Sequence, residues 1–466
     1  MVTNSVWVPD LAGRSGPKAR AIADAIAEAV QAGDLAPGDR LPPHRELAYR
    51  LGVSVGTVTR SYAEAQRRGL LSGQVGSGTY VTDRTAPERR FGLAGGGGPS
   101  DGIIDLSAAL AACELRQEAL DRALAAMTAA GVSSDTLEYQ SAAGMARHRE
   151  TGARWMAQAG FAPDPRRVIV THGAQQAIAI ALSALARPGA TVLCESLVFP
   201  PVINLAGLLG LKLHGLPVDG DGLDPDALDE ACRATGARVL YVIPTLQNPT
   251  GAIQSASRRR DIARIARAHE LCVIEDDVFA RLVDAPPPLA TFAPERTWYV
   301  TSVSKTIAPG LRVGFLLAPD DQLDPLLLAM RALSWQSTPI AAEIATILIE
   351  DGTAERMIAW HRRESVARAR LAREILGESA AANPNDAPHL WLELSEPWRG
   401  RDLAGELLRR GVRVAEGAAF ATARGGGAHH VRISLNAPRA HEQLAQALRI
   451  IADALRSGPY HASWIM

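Results

Sequence analysis

The apolar positions of this chain change period as they run from the N-terminus, and each change predicts an element. Between Pro17 and Gly33, Ile22, Ile26 and Val30 recur every fourth residue, which gathers them on one face of a helix, and Gly33 stands at a favoured stop. After a turn from Asp34 through Pro37-Gly38 to Arg40, the segment His44 to Leu51 predicts a second short helix. Gly52-Val53-Ser54 turns the chain again, and Ser54 is placed to cap a third helix with Val58, Tyr62 and Ala65 inward and Thr57 and Arg60 outward. From Leu70 to Val81 the pattern alternates around the glycines 73, 76 and 78, as a β-hairpin does. Residues 83–103 then turn polar and glycine-rich, the composition of a flexible linker. Beyond Ile103, apolar strand-like runs alternate with amphipathic helices: Val168-Ile-Val170, Thr191-Val-Leu-Cys194, Arg238 to Ile243, Leu271 to Ile274, Trp298-Tyr-Val300 and Val313 to Leu317. That alternation predicts a mainly parallel α/β sheet.

Composition narrows the picture. The chain has 466 residues, 47% hydrophobic composition and net charge -1, room for a small domain and a large one with a substantial core. No run reaches the apolar length of a membrane span, and the N-terminus lacks a basic-then-apolar signal, so a cytoplasmic protein without membrane contact is expected. Four scattered cysteines, 113, 194, 232 and 272, have no metal-ligand spacing and predict reduced thiols and no metal. The near-neutral total hides an imbalance: residues 40–73 carry six arginines against Glu46 and Glu64, a local excess of about +4 that suits a polyanion or a solvated helix face.

The three-helix-and-hairpin pattern is that of a winged helix-turn-helix, a small α+β domain. Gly38-Asp-Arg-Leu-Pro42, Arg45-Glu-Leu-Ala48, Leu51-Gly-Val-Ser54, Thr57-Val58, Gly69-Leu-Leu71 and Gly76-Ser-Gly-Thr-Tyr-Val81 resemble the GntR family of bacterial transcription regulators over about residues 14–82. The resemblance implies binding to a double-stranded DNA operator through Arg45, Ser54, Thr57, Thr59, Arg60 and the wing glycines Gly76 and Gly78. The family often has arginine directly after Val-Ser, where this chain has Val55-Gly56, and Arg60 is the residue placed to compensate.

Candidate chemistry falls where the predicted strands end, the side of an open α/β sheet at which ligands gather. Thr171-His-Gly173-Ala174-Gln175 makes a strand-to-helix turn whose free N–H groups suit a phosphate. Asn248-Pro-Thr-Gly251, Glu275-Asp276-Asp277 and Ser302-Val-Ser304-Lys305, with Arg312, follow later strands. Each motif is weak alone; together they resemble the fold-type-I, aspartate-aminotransferase-like pyridoxal-phosphate enzymes over about residues 104–456. The resemblance implies that Lys305 forms the Schiff base with pyridoxal 5'-phosphate, that Asp276 holds the ring nitrogen and that Asn248 donates to the ring hydroxyl. It assigns Gly173, Ala174, Gln175, Ser302, Ser304 and Arg312 to the phosphate, Phe199 to stacking on the ring, and Tyr139 to the phosphate of a neighbouring subunit. Arg432, in Val431-Arg-Ile-Ser434, is implied to grip an effector or substrate carboxylate. Phe279 stands where the family usually has a tyrosine that donates to the ring oxygen.

A winged helix (1–82), a linker (83–103) and a fold-type-I domain (104–466) resemble the MocR subfamily of GntR regulators. In that subfamily the large domain dimerises and senses an amino compound or the cofactor itself. Two further readings stay open on the residues: an active aminotransferase with a vestigial head, and a DNA-binding protein on a cofactor-free scaffold.

Overall fold

A computed structural model describes residues 7–9, 11, 17–32, 34–35, 39–67, 70–74, 78–81, 102–108, 113–131, 134–377, 384–423 and 425–458. The chain divides into two compact units, residues 1–94 and 95–466. The expected stop at Gly33, the wing tip at Gly76 and the linker up to Asp101 lie outside the described residues.

In the first unit, helices Lys18–Ala32, His44–Leu51 and Val55–Arg67 match the predicted periodicity. Their inward faces carry Ile22, Ile26, Leu47, Val58 and Tyr62, all essentially buried in one cluster. An eight-residue helix is too short to persist alone, so this packing, roughly 1.5–3 kcal/mol per fully buried large side chain, is what holds it. Gly52 takes the left-handed conformation (φ 61°) that closes the second helix, a position where a side chain would be strained. The hairpin Leu71–Gln74 with Gly78–Val81 forms as expected. The two-residue strand Arg40–Leu41 adds a third, antiparallel member that the sequence pattern did not show, because two residues carry no period.

The second unit is built on a seven-stranded sheet in the order Val168–Thr171, Gly314–Leu317, Thr297–Ser302, Cys272–Asp276, Val239–Val242, Thr191–Glu195, Lys212–Leu216. Gly314–Leu317 runs antiparallel to both neighbours and the rest run parallel. Four of its strands are buried at every residue, which is why they read as unbroken apolar runs. The edge strand Lys212–Leu216 escaped prediction because its exposed Lys212 and His214 interrupt the apolar pattern. A second antiparallel sheet, His389–Glu393, His430–Ser434 and Ala415–Glu416, carries Arg432. Cys113, Cys194, Cys232 and Cys272 are all free thiols. No helix among the described residues is long and apolar enough to cross a membrane.

Candidate functional site

The parallel strands deliver their carboxyl ends to one edge of the sheet, and the chain leaving them encloses a cavity. Ala174, Gln175, Phe199, Ile243, Asn248, Asp276, Val278, Phe279, Ser302, Ser304, Lys305 and Arg312 line it. Nine of these are residues the sequence motifs singled out for the cofactor, gathered from five strand ends. Ile243, which sequence reading treated only as strand, and Val278, which it did not single out, add an apolar wall.

One end of the cavity is a turn of backbone. Helix Gly173–Leu185 starts directly after strand Val168–Thr171, so the N–H groups of its first turn have no partner within the helix. Gly173 has φ +74°, and a Cβ there would come within 2.9 Å of the Arg312 guanidinium. Arg312 itself donates from Nη2 to the His172 carbonyl at 3.2 Å. Helix dipole, guanidinium and the hydroxyls of Ser302 and Ser304 thus converge on a place that suits an anion, and Ser304 Oγ is buried without a hydrogen-bond partner.

The other end is acidic. The strand register separates the three acids: Glu275 accepts from the N–H groups of Leu289 (2.8 Å) and Ala290 (2.9 Å), and Asp277 accepts from the Tyr299 hydroxyl at 3.0 Å. Only Asp276 lines the cavity. Its Oδ2 accepts from the Tyr241 hydroxyl at 2.7 Å, while its buried Oδ1 has no partner. Burial lifts the Asp276 carboxyl to about 6; the Tyr241 hydrogen bond works against this, Asp277 adds to it and Lys305 opposes it. Tyr241 was missed by sequence reading, where the only signal was a lone hydroxyl inside an apolar strand.

Lys305 sits between these ends, half-buried, its Nζ 5.8 Å from the centroid of the Phe279 ring. Desolvation, then Arg432 and Arg312, lower the ammonium to about 8 against the pull of Asp276. About a tenth of the lysine is then the neutral nucleophile at pH 7, some hundreds of times more than for an ordinary lysine. We expect the rate of covalent pyridoxal-phosphate capture, followed by absorbance, to rise about tenfold per pH unit below pH 7 and level off near 8. A rise continuing to pH 10 would show an unperturbed amine.

Besides Gly173 in the backbone turn, two assigned residues lie outside the lining. Arg432 is buried behind Asn248: Nη1 donates to Asn248 Oδ1 at 3.0 Å, Nη2 to the Ser107 carbonyl, and its guanidinium carbon stands 5.0 Å from the centroid of Phe420. Tyr139 is 82% exposed, away from its own chain's cavity, with its ring 5.7 Å from Trp335. Phe279 is buried with its ring 5.9 Å from that of His389 and offers no donor.

In the first unit, Ser54 Oγ accepts from the Thr57 N–H at 3.1 Å, the expected cap. Arg45, Thr59 and Arg60 are exposed and Thr57 half-buried. The Thr59 hydroxyl is occupied within the unit, donating to the Val55 carbonyl at 3.0 Å and lying 3.1 Å from His44 Nδ1, so it braces the second helix against the third. Gly78 opens the returning wing strand opposite Gln74. Tyr49, one turn beyond Arg45 and 88% exposed, is a further outward side chain that the sequence pattern did not single out.

Residues 103–451 match the family model for aminotransferase class I and II. The chain belongs to that family. Residues 18–81 match the model for bacterial regulatory proteins of the gntR family, so the protein is a GntR-type, DNA-binding transcription regulator of the MocR kind with an aminotransferase-like pyridoxal-phosphate domain. It is similar to the HTH-type transcriptional regulator YdeF of Bacillus subtilis, 28% identical over 96% of each chain. It is also similar to the vitamin B6 salvage pathway transcriptional repressor PtsJ of Salmonella typhimurium, 29% identical over 90% of this chain and 95% of that one. Among solved structures it resembles LysN, the α-aminoadipate aminotransferase of Thermus thermophilus complexed with N-(5'-phosphopyridoxyl)-L-leucine. That likeness has a TM-score of 0.70 and 27% identity, over 77% of this chain and 93% of that one.

The residues of this MocR-type regulator fit the cofactor by their own chemistry. An orphaned carboxylate oxygen at Asp276 calls for a cationic N–H, and leaving it unmatched costs about 1–3 kcal/mol. The Gly173 turn, with Arg312 and Ser304, calls for a dianion, and a lysine with a lowered pKa lies between the two.

Proposed function

We propose that the regulator holds pyridoxal 5'-phosphate in this cavity and that occupancy of the cavity sets its affinity for operator DNA. The observation that carries this reading is the gathering of nine motif residues and Lys305's depressed pKa in one cavity, on a chain that also bears a DNA-reading head. In this reading Lys305 binds the cofactor covalently, Asp276 takes the ring nitrogen and Asn248 donates to the ring hydroxyl. Phe199 covers the ring, and Gly173, Ala174, Gln175, Ser302, Ser304 and Arg312 hold the phosphate. The bound cofactor supplies an aldehyde carbon that amines condense with and a ring that withdraws electrons. Phe279 removes one donor from the ring oxygen, which leaves Asn248, polarised by Arg432, to serve it alone from this side.

Tyr139, exposed on its own chain, is assigned to the cavity of a second copy, which makes the working species a homodimer acting on DNA in the cytoplasm. Arg45, Thr57 and Arg60 are the outward contacts of the head, Ser54 its cap, Thr59 its brace, and Gly76 and Gly78 the wing. The signal is the cofactor itself, in keeping with the name of the relative PtsJ, or an amino compound that competes with Lys305 for it. A carboxylate on such a compound would reach Arg432 by displacing its bonds to Asn248 and the Ser107 carbonyl.

A ligand shifts DNA binding only by the difference in its affinity for the two arrangements of the protein. Operator duplexes selected from a random pool should bind cofactor-loaded and cofactor-free protein with affinities differing by about tenfold or more at one fixed salt concentration. Equal affinities in the two forms would remove the regulatory link. Sustained turnover of amino donor and keto acid without selective DNA binding would instead favour a metabolic aminotransferase.

A further inference from the structure

Tyr241 carries the hydroxyl of strand Val239–Val242, whose other members are valine and leucine. It lies opposite Ile274 in the parallel register, so it shares a sheet face with Asp276, one pleat further along the neighbouring strand. A ring of that length reaches the diagonal neighbour, and here it meets the carboxylate at 2.7 Å with no exposed surface. We infer that Tyr241 is a positioning residue for the cofactor: its hydroxyl fixes Asp276 through Oδ2, keeps that carboxylate ionised and leaves Oδ1 for the ring nitrogen. The inference rests on the reading that pyridoxal phosphate occupies the cavity.

The surroundings show why a neutral donor is needed. Asp276 is repelled by Asp277, next along the chain, and attracted by Lys305, while Glu195 stands two strands away in the sheet. Burial holds Glu195 up near 8, so it stays protonated at neutral pH and adds little repulsion. The Tyr241 hydroxyl is held well above its usual range by burial and by Asp276, and burial likewise raises the Cys194 thiol beside it, so neither group becomes an anion. Tyr241 is therefore a fixed hydrogen-bond donor, not a proton carrier. Without it, Asp276 would have the Val278 backbone N–H and Lys305 alone to offset burial, and its grip on a ring-nitrogen proton would weaken.

A positive ring nitrogen disfavours a second positive charge on the nitrogen that joins the cofactor to Lys305, so the pH midpoint of the visible absorption band reports on Asp276. The full-length protein loaded with pyridoxal 5'-phosphate is titrated between about pH 5 and 10 as wild type, Tyr241→Phe, Asp276→Asn and the double variant. In Tyr241→Phe the midpoint should rise by about one unit, the size of one hydrogen bond to a charged group, in the direction of Asp276→Asn. The double variant should titrate as Asp276→Asn alone, because the tyrosine acts through the acid. A midpoint equal to wild type in Tyr241→Phe, or additive shifts in the double variant, overturns the inference. A wild-type protein with no cofactor band overturns the reading of the cavity itself, and the inference with it. Should Tyr241→Phe not fold, 3-fluorotyrosine placed at position 241 keeps the shape and donates more strongly. Its midpoint should fall, and an unmoved one again sinks the proposal.

Discussion

Lys305→Ala should leave a folded protein from which the cofactor can be washed away. The amine is replaced by a methyl group in a cavity whose anion cradle and Asp276 remain, so pyridoxal phosphate still docks, but with no covalent anchor. The dissociation constant should rise by roughly a hundredfold, about 2.7 kcal/mol. Borohydride, which makes the lysine linkage permanent, should add the cofactor's mass to the wild-type peptide containing Lys305 and none to the variant. The same substitution removes a half-buried cation lying among Arg432, Arg312 and Asp276, so the thermal midpoint of the cofactor-free protein should be unchanged or slightly higher. Cofactor mass fixed to another peptide would relocate the reactive amine. A cofactor that leaves both proteins equally fast would show that the lysine anchors nothing.

Gly314→Ala should damage the phosphate cradle although Gly314 is not itself assigned to the ligand. Strand Gly314–Leu317 runs so close to the turn that a Cβ on Gly314 would stand 2.5 Å from the Gly173 carbonyl carbon and 2.8 Å from the Ala174 nitrogen. Both obstacles are backbone, so relief requires moving the first turn of helix Gly173–Leu185, whose N–H groups are meant for the anion. Overpacking of this kind costs about 1–3 kcal/mol, and cofactor affinity should fall by about tenfold or more as the N–H groups are pushed out of line. Gly310→Ala, nearby in sequence, is the control, since an added Cβ there meets nothing within 4 Å. Affinity and melting temperature measured together separate the two effects. If Gly314→Ala binds pyridoxal phosphate as wild type does, the turn is not the phosphate site.

Much of the first unit was legible because its helices are amphipathic: Ile22, Ile26, Val58 and Tyr62 announce their own faces through a period of about four residues. The buried strands of the large sheet were legible for the opposite reason, being apolar at every position. Strands Arg40–Leu41 and Lys212–Leu216 were not, one too short to have a period and the other interrupted at an edge. The resemblance to aspartate-aminotransferase-like enzymes, carried by short local motifs, named Lys305, Asn248, Arg312 and the glycine turn. It could favour Asp276 over Glu275 and Asp277 only by alignment.

By itself, then, the sequence determined the order of the two domains, the periodicity of their cores and the loop chemistry that marks a phosphate and an amine-reactive lysine. Those properties are local, written within a few residues of chain. Only the tertiary structure decided which acid faces Lys305, that Tyr241 holds it, and that Arg432 reaches Asn248 from a separate sheet. These contacts join residues 35 and 184 positions apart, and such pairings are set by strand register and packing rather than by any pattern along the chain.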